Sequence, residues 1–185
     1  LKRCSWLILS AMLLTFLPSA PAWAASMPSG GGTAGDPFLV SNADELAMLA
    51  DFPSAHFQLT RDINLTSSWN TISNEAFTGV LDGNGYTISL SPGSKHYDAI
   101  LFQKNAGTIK NLCLSADVSY RSSDNSDLTF ALLAFSNTGT IENCAAFGTI
   151  DAYKSRGSWY PPEIASFVIS NSGTIKNCYS RVNLN

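Results

Sequence analysis

One seven-residue phrase occurs three times in this chain. Asn105-Ala-Gly107-Thr-Ile109-Lys-Asn111, Asn137-Thr-Gly139-Thr-Ile141-Glu-Asn143 and Asn171-Ser-Gly173-Thr-Ile175-Lys-Asn177 share the pattern N-x-G-T-I-[KE]-N, spaced by 32 and then 34 residues. Self-similarity with a period of about 20–50 residues marks a stacked architecture, in which each unit buries its apolar face against the next. The unit reads as strand and turn, not helix. A shared Gly in a turn precedes Thr-Ile and a short alternating run.

Overlaying the copies brings Ile109, Ile141 and Ile175 together, then Leu112, Cys144 and Cys178, then Ala116, Gly148 and Val182, then Val118, Ile150 and Leu184. From the second column onward the shared sites fall at every second residue, which is one face of a strand. The step from Ile to the next column is three residues and breaks that phase. The chain is therefore expected to bend at Lys110-Asn111, Glu142-Asn143 and Lys176-Asn177. Asn suits a corner because it tolerates unusual backbone angles, and stacked amides can bond from coil to coil. Equal residues superposed in parallel, with corners between strands, specify an all-β solenoid. The expectation is a right-handed parallel β-helix of three to four coils, about 4.8 Å apart.

These residues carry a resemblance. Ala131 to Ile150, with Asn137-Thr-Gly139-Thr-Ile141-Glu-Asn143-Cys144 at its centre, resembles the GLUG repeat of bacterial secreted and surface proteins, as do Ala165 to Leu184 and, less closely, Ala99 to Val118. The Gly-Leu-Val-Gly half of that pattern is replaced here by Leu-Leu-Ala-Phe and Ser-Phe-Val-Ile. Phe77-Thr-Gly-Val-Leu-Asp82-Gly-Asn84-Gly-Tyr-Thr-Ile88 is similar to the opening coil of the same proteins, and Phe57 to Leu65 to another of their phrases. The resemblance covers most of the chain after residue 35. It implies architecture and a cell-surface or secreted location more than any one activity.

Residues 1–24 read as a secretory signal peptide: Lys2-Arg3, a largely apolar run from Trp6 to Leu17, helix-breaking Pro18 and Pro21, then Ala22-Trp-Ala24 as cleavage site. Twelve residues are too few for a bilayer of about 30 Å, so no membrane span is expected in the mature chain. Loss of Lys2 and Arg3 takes the formal net charge from −3 to −5, which disfavours nucleic acid as a partner. With 45% hydrophobic and only 14% charged residues the remainder is expected to fold rather than stay disordered. Cys113, Cys144 and Cys178 survive cleavage, an odd number that makes no disulfide framework. Cys144 and Cys178 share one inward column, as buried free thiols or as a bonded pair. No zinc-type spacing occurs, and neither a metal nor a cofactor is expected.

Residues 25–35 are rich in Ser, Gly and Pro and read as a flexible linker ahead of a β-helix domain over 36–185. Within it, 36–56 forms a cap: a short strand ending at Val40, then a helix capped by Ser41 or Asn42 that buries Leu46, Leu49 and Ala50. Phe57 to Leu65 alternates as one coil strand, and Asp82-Gly-Asn-Gly85 is a tight turn. GLUG-like repeats occupy 99–118, 131–150 and 165–184. Arg181 to Asn185 stops partway through the third repeat's strand, so truncation is expected. Missing C-terminal coils or self-association would cover the apolar edge.

Catalysis on such a scaffold needs clustered charge, either paired carboxylates or acidic cation ligands beside a base. This chain has no adjacent Asp-Asp pair, and Asp62, Asp82, His56 and His96-Tyr-Asp98 read as corner, turn, strand-start and loop residues. The expectation is a non-catalytic surface module for adhesion, for glycan or host and cell-surface protein binding, or a stalk. A fragment of a polysaccharide-active lyase or hydrolase, or of a surface peptidase, is the alternative. The insertions Tyr120 to Asp127 and Ala152 to Glu163 leave the coil at the same corner. They place Tyr120, Arg121, Tyr153, Lys154, Arg156, Trp159 and Tyr160 on one flank, where aromatic rings and cations suit acidic glycans. The competing reading folds Trp159 back over the coil's own surface.

Overall fold

The structure, a computed structural model, describes residues 27–65, 69–73, 75–90, 101–122, 129–154 and 163–185. In chain order its strands begin with β1 (Phe38–Val40), β2 (His56–Leu59), β3 (Ile63–Leu65), β4 (Val80–Asp82), β5 (Thr87–Leu90), β6 (Phe102–Asn105), β7 (Thr108–Lys110) and β8 (Cys113–Ser122). They continue with β9 (Thr129–Ala131), β10 (Ala134–Asn137), β11 (Thr140–Glu142), β12 (Ala145–Lys154), β13 (Glu163–Ala165), β14 (Val168–Asn171), β15 (Thr174–Lys176) and β16 (Tyr179–Leu184). One helix, α1 (Ala43–Ala47), lies between β1 and β2.

Every pairing between these strands is parallel. One sheet runs β1-β2-β4-β7-β11-β15, a second β3-β5-β8-β12-β16 and a third β6-β10-β14, while β9 pairs with β13. A chain that visits the sheets in turn, each strand pairing with its equivalent one coil away, is a parallel β-helix. The first sheet has six rungs and the second five, more than the three to four coils the motif count gives. The N-terminal coils use other residues at the same places. Phe77 bridges Asn105, and Leu81 pairs with Ile109, so Phe77 to Asp82 is a coil without the asparagine.

Side chains pointing inward form columns. Phe57, Leu81, Ile109 and Ile141 stand one above another in the first sheet, and Ile63, Ile88, Leu114 and Ala146 in the second, all buried. Each large side chain so buried contributes roughly 1.5–3 kcal/mol. Phe38, Phe57, Phe77 and Phe102 add a run of tilted ring contacts, with centroids 5.4, 6.4 and 5.0 Å apart, through the N-terminal half.

Two local expectations are corrected. Phe57 to Leu65 is not one strand: it turns a corner at Thr60-Arg61-Asp62, and β2 and β3 belong to different sheets. The corner is held by Asp62, whose Oδ1 accepts the Thr87 amide at 2.8 Å. Leu59 and Ile63 are four residues apart, an even step, so the alternation runs through the corner undisturbed. Residues 27–35, read as flexible linker, instead fold back on β1. Ser29 bridges Leu39 and Thr33 bridges Asp36, both antiparallel, with Gly30 and Gly32 supplying positive φ of 105° and 69°.

The cap forms because its first turn is satisfied reciprocally. Asn42 Oδ1 accepts the Glu45 amide at 2.9 Å, and Glu45 Oε2 accepts the Ser41 amide at 2.6 Å. Leu46, and Leu49 in the 3-10 turn Met48–Ala50, are fully buried and close the first coil, while Ala50 is only partly buried.

Candidate functional site

The motif residues are consumed by coil-to-coil contact. Asn105 Nδ2 donates to Asn137 Oδ1 at 2.6 Å, and Asn137 Nδ2 to Asn171 Oδ1 at 2.7 Å. Asn105 and Asn137 are 1% exposed, so this ladder satisfies side chains that burial would otherwise penalise. Gly107, Gly139 and Gly173 follow, each directly over its equivalent. A methyl group on Gly139 would overlap Gly107 O and stand 2.6 Å from Ala106 C. None of these three has positive φ; the requirement is the closeness of the next coil. Asn111, Asn143 and Asn177 turn the corner at φ of 51°, 53° and 52°, the left-handed region that Asn tolerates. Asn143 Nδ2 donates to Asn111 Oδ1 at 3.3 Å, and Asn111 Nδ2 to Asp82 Oδ1 at 3.0 Å.

Outside the corner runs a column of alternating charge, Asp82, Lys110, Glu142 and Lys176. Lys110 Nζ lies 3.3 Å from Asp82 Oδ2 and Lys176 Nζ 2.7 Å from Glu142 Oε2. Burial alone would raise the Asp82 carboxyl, but the Asn111 amide, the Asn84 backbone N–H and Lys110 together hold it below the usual carboxylate value. Asp117 Oδ1 accepts the Thr149 amide at 2.9 Å. Asp62, Asp82, Asp117 and Glu142 are each engaged by neighbouring coils. A cavity of about 100 Å³ lies between the Ala34–Pro37 turn and His56, Gln58, Asp82 and Lys110. Among the described residues no group of three or more His, Cys, Asp or Glu could hold a metal ion. No described helix is long and apolar enough to cross a membrane.

Cys113, Cys144 and Cys178 are free thiols. Cys144 Sγ donates to Glu142 O at 3.2 Å and Cys178 Sγ to Lys176 O at 3.3 Å. Burial, reinforced by the neighbouring Cys178, pushes the Cys144 thiol up to about 12.

The seven residues expected on one flank divide. Tyr120 and Arg121 lie in β8, Tyr153 and Lys154 in β12, while Arg156, Trp159 and Tyr160, like 1–24 and His96-Tyr-Asp98, fall outside the described residues. The insertions were expected to leave the coil at Tyr120 and Ala152, but the strands run on. Ala152 pairs with Tyr120, Tyr153 with Arg121 and Lys154 with Ser122. Two adjacent ten-residue strands gain from extending their ladder together, and the alternating sequence permits it. Arg121 and Tyr153 occupy the strand phase of Asp117 and Thr149, whereas Tyr120 and Lys154 occupy the opposite phase.

The outward phase of β12 and β16 carries an aromatic pair that sequence reasoning missed. Phe147 and Tyr179 are 36% and 57% exposed, with ring centroids 6.0 Å apart and planes tilted by 56°, and Arg181 pairs with Phe147 across the coils. The signal was the alternation itself. Phe147 is three residues past the inward Cys144 and Tyr179 one past Cys178, so both must face out.

No family model matches the chain, and no solved structure matches it. The chain is 35% identical over 140 residues to halomucin of Haloquadratum walsbyi (strain DSM 16790 / HBSQ001), an alignment that takes in 65% of this chain and spans 2% of halomucin's length.

Proposed function

We propose that the chain is a non-catalytic secreted or cell-surface module of the GLUG-like kind, a rigid stack of coils that carries a glycan- or protein-binding flank. The observation that carries this reading is the paired extension of β8 and β12. It sets Tyr153 against Arg121 one coil apart, about 4.8 Å, beside the places where both insertions begin. Tyrosine and arginine at one register of adjacent strands are the residue types that suit C–H stacking and a charge-assisted donor for hydroxyl or carboxylate, the chemistry of acidic sugars. Similarity to halomucin and the leader-like residues 1–24 support the surface location. The engagement of Asp62, Asp82, Asp117 and Glu142 in coil contacts supports a scaffold over an enzyme.

Binding of the purified chain to an array of neutral and acidic glycans tests the reading, with Arg121→Ala and Tyr153→Ala as variants. Each is expected to weaken binding by about tenfold, the loss of one stacked or charge-assisted contact. Undiminished binding by both variants, or no glycan bound, overturns the glycan reading. A tagged chain that stays inside cells overturns the location. The stalk reading is favoured by the stack itself and survives the first outcome.

A further inference from the structure

The cavity beside the N-terminal turn is lined by polar side chains that the stack leaves unused. Outward positions of the first sheet form two columns there: Gln58, Asp82 and Lys110 share one register, and His56, Val80 and Thr108 the next. Asp82 Oδ1 accepts the Asn84 amide at 2.9 Å and Asn111 Nδ2 at 3.0 Å, and Oδ2 faces Lys110 Nζ at 3.3 Å. A carboxylate offers about four acceptor positions, so one remains on Oδ2, and the Lys110 ammonium keeps donors to spare. Gln58 and His56 are less engaged still. Both are half-buried against the cavity, and neither side chain hydrogen-bonds to a described residue. The opposite wall is fixed: the Gly31 and Thr33 amides both donate to Asp36 O at 3.0 Å, and the His56 amide donates to Gly32 O at 2.9 Å, which ties the turn to β2. Pro37 and Val80 give the cavity an apolar side.

From this arrangement we propose that the cavity is a binding site for one neutral sugar residue, held through neighbouring hydroxyls. A hydroxyl both donates and accepts, as do a carboxamide and a neutral imidazole. Adjacent hydroxyls can therefore engage Gln58 and His56 while another meets Lys110 or Asp82 Oδ2, and the ion pair stays closed. Sugar C–H groups rest on Pro37 and Val80. Other ligand classes fit less well. Asp82 is the one carboxylate lining the cavity among the described residues, and Lys110 already neutralises it, which leaves no charge for a cation. A small anion would meet Asp82, and an amino-acid zwitterion would have to part the pair to reach both ends. Drug-sized ligands occupy about 300–1,000 Å³, so a cavity of about 100 Å³ takes one ring edge and leaves the rest of a glycan in solvent. A rigid wall lowers the ordering cost, and roughly three or four hydrogen bonds then set a dissociation constant on the order of 1 mM. This site lies on the first sheet, whereas Arg121 and Tyr153 lie on the second, so it stands or falls independently of that flank.

The test is an amide-shift titration of the full ¹⁵N-labelled chain with glucose, galactose and mannose in turn. At least one sugar is expected to give saturable shifts at Gln58, its side-chain NH₂ included, at His56 and at Lys110, with a dissociation constant on the order of 1–10 mM. Gln58→Ala and His56→Ala, each with its circular dichroism unchanged, are expected to weaken that sugar about fivefold, the loss of one hydrogen bond. Gln58→Met keeps the length of the side chain and is expected to weaken it equally, which separates lost bonding from lost packing. Inorganic phosphate and glycine are expected to leave these residues unshifted. No saturable shift with any of the three sugars, shifts confined to residues outside the cavity, unchanged affinity in both alanine variants, or tighter binding of phosphate or glycine each overturns the inference.

Discussion

Gly139→Ala separates a steric requirement from a conformational one. At a position without positive φ, replacing Gly by Ala ordinarily stabilises a protein by about 0.4–1 kcal/mol, because the unfolded chain loses freedom. Here the added methyl would overlap Gly107 O and stand 2.6 Å from Ala106 C and 2.8 Å from Gly107 N, all backbone of the coil below. Backbone cannot rotate aside, so the two coils must part locally by more than about 1 Å to restore ordinary contact. Across that gap run Thr138 N to Asn105 O at 2.8 Å, Gly139 N to Asn105 O at 3.3 Å and Thr140 N to Gly107 O at 2.8 Å, besides the buried Asn105–Asn137 bond. Weakening two or three of these at about 1 kcal/mol each, and partly orphaning a buried amide, gives a loss of roughly 3 kcal/mol. For a domain of this size that lowers Tm by about 6–12 °C. Urea and thermal unfolding of the variant measure it. Gly35→Ala, with nothing within 4 Å and no positive φ, serves as the control and is expected to shift stability by no more than about 0.5 kcal/mol. A Gly139→Ala protein as stable as wild type, or more stable, refutes the close-approach argument.

Asn137→Ala removes the middle of the ladder and leaves the buried Asn105 donor without its partner, whereas the exposed Asn171 oxygen turns to water; chemical denaturation is expected to show a loss of about 1–3 kcal/mol. Asn143→Ala forces an alanine to φ near 53° and is expected to cost about 1–2 kcal/mol, whereas Asn143→Gly recovers most of that, a difference the same assay resolves. In the folded chain at pH 8, iodoacetamide is expected to label partly exposed Cys113 first and Cys144 last by mass spectrometry, since a thiol raised from 9.0 to about 12 has a thiolate fraction about a thousandfold smaller. Asp82 has a lowered folded pKa, so its stabilisation is present above the unfolded value of 3.8 and disappears as pH falls through the folded one; Asp82→Asn is expected to flatten the acid limb of the stability profile.

The parallel coil, its corner and its inward columns were legible because each motif residue answers one local demand. Asn143 occupies a left-handed corner, Gly139 a close approach and Asn137 a buried ladder, and few other residues meet those demands. The N-terminal coils were not countable by motif, because Phe77 at the register of Asn105 fills the space with a ring instead of bridging it with an amide. The corner at Thr60 to Asp62 was hidden for a related reason. Its length preserves the phase of Leu59 and Ile63, and a reading built on alternation has no means of seeing a bend that leaves alternation intact.

The flank was located less well than the stack, and the cause is physical. A repeat position such as Asn137 or Glu142 is satisfied by its equivalents above and below, which leaves it little capacity for a ligand and makes it conspicuous in sequence. Residues available to a partner must be those the stack does not use. On β8, β12 and β16 these are the outward positions where the copies differ: Ser115, Phe147 and Arg181 share one register, and Cys113, Ala145 and Tyr179 another. A search for similarity between copies therefore finds the architecture first. Recognition residues are found by fixing the inward phase from the repeats, then asking which outward positions are large, exposed and unlike their counterparts one coil away. By that criterion Phe147, Tyr179 and Arg181 are candidates, on the sheet that also carries Arg121 and Tyr153. Tyr179 shares the register of Ala145, eight residues from Tyr153 and so about 26 Å along the strands; a glycan long enough to span both places should lose affinity in Tyr179→Ala, and a short one bound at Arg121 and Tyr153 should not.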